Sequence, residues 1–132
     1  MDMLAILSII VSSALIYSAP LIFTGLGGTF SERSGIVNVG LEGTMVMGAF
    51  SAIVFNLNYA DNLGKMTPWV ALLVAGAVGI FFSILHAVAT INLRANHIVS
   101  GTVLNMLAPA LAVFLTKVLY EGKGQTAFII QN

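Results

Sequence analysis

Four uncharged stretches, residues 3–31, 43–60, 66–93 and 95–116, are set apart by short polar groups. An α-helix rises about 1.5 Å per residue, so about 20 residues cross a hydrocarbon core about 30 Å thick. The first, third and fourth stretches meet that length, and the pattern predicts spans over 4–23, 68–92 and 98–119. The second is shorter: from Gly43 to Phe55 it is continuously apolar apart from Thr44 and Ser51. As a helix that run is only about 20 Å long. To cross, it must recruit Ile36 to Leu41, which sets a segment over 36–58 and draws Asn38 and Glu42 towards the hydrocarbon. The pattern therefore predicts an all-α, polytopic membrane helical bundle of about four segments, the second discontinuous, within a single transmembrane domain over 1–132.

Local signals refine each span. Pro20 lies near the end of the first, and Gly25-Leu26-Gly27-Gly28 follows it, which predicts a close helix contact or an unwound turn. Thr67 and Pro68 supply an N-cap and a first-turn proline for the third span, with Trp69 as an interfacial anchor. Within that span Ala71, Ala75, Gly79, Ser83 and Ala87 recur every four residues, a row of small side chains suited to close helix packing. Arg94, Asn96 and His97 form a short polar turn, which predicts an antiparallel hairpin of spans three and four. The fourth span carries Asn105 and Pro109, and Lys117 lies close enough to its end to snorkel.

Composition agrees with this picture. Of 132 residues, 58% are hydrophobic and 8% charged, where a soluble domain carries about 25% charged residues. So few charges cannot cover a water-facing globule. Net charge is zero and there is no basic run, so nothing suggests binding to nucleic acid. The absence of cysteine excludes disulfides and thiolate chemistry. The N-terminus lacks a basic region, starting with Asp2, and is read as a retained span rather than a signal peptide. The tail after Tyr120 is polar through EGKGQT and then apolar again, which reads as a chain cut short, the alternative being a short apolar tail lying on the membrane.

Chemistry concentrates at FSERSGIVNVGLEG, residues 30–43, which sets Glu32, Arg33, Asn38 and Glu42 among three glycines. Three readings fit its length and polarity. It is a full crossing with an intramembrane Glu42, a half-helix starting near Asn38, or a headgroup-level loop in which Glu42 caps the next helix. An ionisable group inside a span costs about 2.5–3.5 kcal/mol on insertion scales and normally faces a bundle interior or a water-filled path. A half-helix presents unpaired N–H groups and a positive dipole end to polar solutes. Elsewhere the sequence offers no enzyme. GLGGTF lacks the third glycine of a dinucleotide fingerprint, and EGKGQT lacks the upstream glycine of a phosphate loop. His86 and His97 have no partners at metal-ligand spacing, and no Ser-His-acid set has a hydrolase arrangement. No catalytic residue, metal or cofactor is expected, and His86 is expected to hydrogen-bond to a neighbouring helix.

The run SAPLIFTGLGGTFSERSGIVNVGLEGTMVMGAF (18–50) closely resembles the permease subunits of bacterial ABC importers for nucleosides and simple sugars, grouped with the ribose and branched-chain amino acid permeases. Ser34, Gly35, Asn38 and Gly40 match that family's SG-x-x-(N/D)-x-G element. Gly40-Leu41-Glu42-Gly43 matches the GLEG extension of its nucleoside branch. LRANHIVSGTVLN (93–105) is similar to that branch's hairpin turn and YEGKGQT (120–126) to its following loop. The resemblance implies a multi-pass subunit of the bacterial plasma membrane whose element interrupts a helix beside the translocation path. Asn38 and Glu42 are then path-proximal, and Ser34, Gly35, Gly40 and Gly43 shape the break. It also implies a cytoplasmic location for Arg33 and Arg94, whereas counting Lys and Arg alone slightly favours the side of Lys65, Lys117 and Lys123. The implied partners are a second permease subunit, cytoplasmic ATP-binding subunits that hydrolyse ATP, an extracellular solute-binding protein and membrane lipid. Family members are longer, so the chain is expected to be the N-terminal part of such a permease. The competing reading is a small autonomous four-span membrane protein, an assembly factor or self-associating channel, and the genomic sequence past Asn132 separates the two.

Overall fold

The computed structural model describes residues 3–120. The tail 121–132, with its polar loop and apolar end, lies outside the described residues, as do Met1 and Asp2. The described chain holds four α-helices and no strand: α1 Met3–Arg33, α2 Leu41–Leu63, α3 Thr67–Ala87 and α4 His97–Leu119. Its helical runs Met3–Arg33, Leu41–Asn92 and His97–Leu119 are each long and apolar enough to cross a membrane. The middle run turns at a 3-10 segment, Gly64–Met66, where Gly64 takes φ +51°. Its two halves, α2 and α3, then pack along each other. The chain divides into two compact units, residues 1–37 and 38–132.

The first unit is dominated by α1. It continues without interruption through Gly25, Gly27 and Gly28 to Arg33, so the unwound turn expected after Phe23 does not form. Backbone groups at membrane depth have no water to bond, and a continuous helix satisfies them within the segment. Hydroxyls along it bond backwards in the same way: Thr24 donates to the Pro20 carbonyl at 2.6 Å and Thr29 to the Leu26 carbonyl at 2.8 Å. The helix stops at Gly35, whose φ of +84° is a left-handed geometry that lacks penalty only without a Cβ. Its N–H donates to the Glu32 carbonyl at 3.0 Å.

In the second unit α2 is central, packed against both α3 and α4, while α3 and α4 touch little. The short 93–96 turn thus joins two helices that share α2 as a neighbour more than they share each other. Met47 of α2, Phe82 of α3 and Leu104 and Ala108 of α4 form the buried core. The α2 helix occupies 41–63 as one continuous helix, where the sequence predicts a discontinuous segment over 36–58. It reaches about 34 Å by extending through Asn56, Asn58 and Asp61, not by recruiting Ile36 to Gly40, which stay non-helical. Against it, Ala71 is buried and Ala75 half-buried, and a side chain added at Gly48 would stand 3.4 Å from the Ala75 carbonyl. The remaining small residues of that row differ: a Cβ at Gly79 would meet nothing within 4 Å, Ser83 is exposed and Ala87 is half-buried. A π turn over Val88–Asn92 ends α3, and Arg94 adopts φ +52° before α4 begins. Asn96 caps α4, its Oδ1 accepting from the Ile98 and Val99 N–H groups.

Candidate functional site

The polar stretch of the sequence becomes a break between α1 and α2, non-helical from Ser34 to Gly40. Its two ends belong to different units. On the α1 side, Ser31 Oγ donates to the Ile36 carbonyl at 2.7 Å, and Ser34 and Gly35 form the turn. The α2 side begins at Asn38, which is half-buried and folds into a tight local turn: its Oδ1 accepts the Gly40 N–H at 3.0 Å. Asparagine favours this geometry because its side chain replaces a backbone acceptor two residues on. Gly40 is buried at the N-cap position of α2, and its carbonyl accepts the first helical bond from the Thr44 N–H at 3.1 Å.

Glu42 lies in the first turn of α2 and is exposed. The partial positive charge at a helix N-terminus favours a carboxylate there. That position joins an accessible acid to the start of a strongly apolar helix. Asn38 and Glu42 therefore flank the beginning of the same element, on either side of Gly40.

The element is held by α4, and here the structure adds what sequence reading did not single out. Gly43 N–H donates to Asn105 Oδ1 at 2.8 Å, and Asn105 Nδ2 donates to the Val39 carbonyl at 2.9 Å. One side-chain amide thus serves an acceptor ahead of the helix and a donor inside its first turn. Such reach requires the backbones to approach closely. A Cβ at Gly43 would stand 2.6 Å from the Leu104 carbonyl oxygen, and one at Gly101 would stand 2.8 Å from the Gly40 nitrogen. Gly40 and Gly43 on one side and Gly101 on the other are all buried. Gly101 and Asn105 are four apart and so share a face of α4. That spacing, an amide one turn after a glycine inside an apolar span, was the available signal.

A second polar link joins α3 to α4. His86 is buried, with Nδ1 3.1 Å from Ser100 Oγ. The hydrogen bond expected of this histidine thus runs to α4. Its carbonyl accepts the buried Thr90 hydroxyl at 2.8 Å, on the π turn.

Comparison with known proteins gives these features a family. The chain is 63% identical over 121 residues to the nucleoside ABC transporter permease protein NupC of Lactococcus lactis subsp. cremoris, over 92% of this chain and 38% of that protein. It is 54% identical over 126 residues to the guanosine ABC transporter permease protein NupQ of Bacillus subtilis, over 96% of this chain and 39% of that one. The chain therefore spans about two fifths of the length of these curated relatives. No solved structure matches it significantly. The family model described as branched-chain amino acid transport system / permease component matches residues 10–130, nearly the whole sequence, and the chain belongs to that family.

Proposed function

We propose that this chain forms part of the transmembrane permease subunit of an ABC importer and contributes to its translocation path, with nucleosides as the solute class. The observation that carries the reading is the polar link ahead of α2: a half-buried amide, Asn38, and an exposed carboxylate, Glu42, stand at the start of an apolar helix long enough to cross a membrane. An acid drawn inside the membrane is costly unless it faces water or a bundle interior. A path for polar solutes supplies such surroundings. Nucleosides rather than sugars are favoured by the names of the two relatives described above.

In this reading Asn38 and Glu42 face the path, and Ser34, Gly35, Gly40 and Gly43 shape the interruption. The chain supplies no catalysis. ATP hydrolysis belongs to separate cytoplasmic subunits, a second permease subunit completes the path, and an extracellular binding protein delivers the solute. The complex resides in the bacterial plasma membrane as a multi-pass assembly. The test is uptake of labelled guanosine by cells carrying the full-length permease with its partners. Deleting the permease gene is expected to abolish uptake. Glu42→Gln and Asn38→Ala are each expected to lower uptake per permease molecule or change the preference among nucleosides. Wild-type rates and preference in both variants would refute the path assignment.

A further inference from the structure

Val39 and Gly43 are four residues apart, the spacing at which a carbonyl and an N–H pair inside a continuous α-helix. They do not pair here. The Asn105 amide lies between them, taking the Gly43 proton on Oδ1 at 2.8 Å and giving its own to the Val39 carbonyl at 2.9 Å. The side chain of another helix therefore occupies the place of one rung of the helical ladder. We propose that Asn105 is the positioning residue of the break: it wedges the Val39–Gly43 rung apart and so fixes where α2 begins.

Three features of the geometry support a wedge over a casual contact. The amide uses a donor and an acceptor at once, which a carboxylate cannot do and which leaves neither backbone group unsatisfied in an apolar setting. Gly40, Gly43 and Gly101 remove the side chains that would hold α4 away, with added Cβ atoms falling 2.6 to 3.3 Å from atoms across the crossing. Finally, the clamped residues directly follow the two path candidates in sequence, Asn38 before Val39 and Glu42 before Gly43. Without the wedge, the freed carbonyl and N–H are each other's natural partners. The helix then winds back by a residue or more, and the Asn38 turn that bonds the Gly40 N–H is lost. Movement of α4 away from α2 has the same effect, so the crossing couples the position of α4 to the shape of the break.

This inference rests on the permease reading for its consequence in transport, but its geometry is testable without it. The sequence has no cysteine, so Val39→Cys gives a single reporter in this chain. Val39 is 39% exposed and bonds Asn105 through its backbone carbonyl, with its Cβ facing Gly101. Asp61→Cys, exposed at the far end of α2, is the control. In membranes holding the full-length permease, with cysteines outside this region replaced, labelling by a water-soluble maleimide is timed with and without Asn105→Ala.

The labelling rate of the Val39→Cys reporter is expected to change by roughly fivefold or more and that of the Asp61→Cys control to stay constant, with Asn105→Ser giving an intermediate shift. In the otherwise wild-type complex, Asn105→Ala is expected to lower guanosine uptake per inserted permease by roughly tenfold, the factor that one lost hydrogen bond can supply. An unchanged rate for the Val39→Cys reporter would overturn the proposal. So would failure of both Asn105 variants to accumulate in the membrane, which would make Asn105 a requirement for folding instead. A shifted rate for that reporter beside unaltered uptake in Glu42→Gln and Asn38→Ala would leave the wedge standing and refute the path reading alone.

Discussion

Gly43→Ala offers a direct measure of how tightly α2 and α4 are joined. The added methyl would sit 2.6 Å from the Leu104 carbonyl oxygen, 2.9 Å from its carbon and 3.1 Å from the Asn105 Cα. All three are backbone atoms, so no rotamer change relieves the overlap. To restore a contact of 3.4 Å, α4 must retreat by about 0.8 Å, the difference between the two distances. That retreat also stretches the 2.8 Å bond from the Gly43 N–H to Asn105. Overpacking costs about 1–3 kcal/mol and the weakened hydrogen bond about 1 kcal/mol more. Alanine's better helix propensity returns at most about 1 kcal/mol. The steric cost wins, for a net loss of about 1–3 kcal/mol. Gly76→Ala is the matched comparison, since a Cβ there would meet nothing within 4 Å, and it should gain up to about 1 kcal/mol. Thermal unfolding of the full-length permease in mild detergent is expected to rank Gly76→Ala above the parent and Gly43→Ala below it. Combining Gly43→Ala with Asn105→Ala should cost less than the two separately, because both act on one hydrogen bond. A Gly43→Ala protein that melts at or above the parent temperature would refute the close crossing.

Two further substitutions probe the ends of helices. Gly35→Ala forces a side chain onto a backbone at φ +84° and should cost about 1–2 kcal/mol, read as a lower melting temperature and faster proteolysis at the break. Asn96→Ala removes the side chain that accepts from the Ile98 and Val99 N–H groups and should cost about 0.5–2 kcal/mol. Asn96→Asp keeps the acceptor and should restore most of that stability in the same melting assay.

Hydropathy located the helices well and their partners poorly, for a single physical reason. A membrane segment is apolar on every side, so its pattern carries little of the periodicity that marks a buried face in water. The predicted starts of spans three and four, 68 and 98, fall within a residue of those of α3 and α4, but Thr67 is not the N-cap of α3: it is the first helical residue, and its hydroxyl donates back to the Gly64 carbonyl at 2.7 Å. The short turn at 93–96 was less informative, since chain adjacency of α3 and α4 does not oblige them to pack together, and α2 is the neighbour of both. Of the two readings of Gly25 to Gly28, the unwound turn does not form, because unbonded backbone in an apolar setting costs more than glycine's weaker helix propensity. The length deficit of the second apolar run pointed to a discontinuous segment, but α2 is continuous and makes up the deficit at its far end, through Asn58 and Asp61, where polar residues hid its true length. Asn105 was visible only as a polar residue in a span. Its role depends on a partner more than sixty positions away, which no local pattern encodes.

That separation has a consequence for the order in which the protein is made. The bonds from Asn105 to Gly43 and Val39 join residues 62 and 66 positions apart, whereas α2 and α3 are joined by a three-residue turn. Local contacts form before distant ones during synthesis, because less chain must be closed into a loop. The α2–α3 pair can therefore assemble while α4 is still in the ribosome, and at that stage Val39 and Gly43 have no amide between them and are free to bond each other. If Asn105 is the wedge, the newborn helix is expected to be continuous across this rung until α4 arrives and opens it.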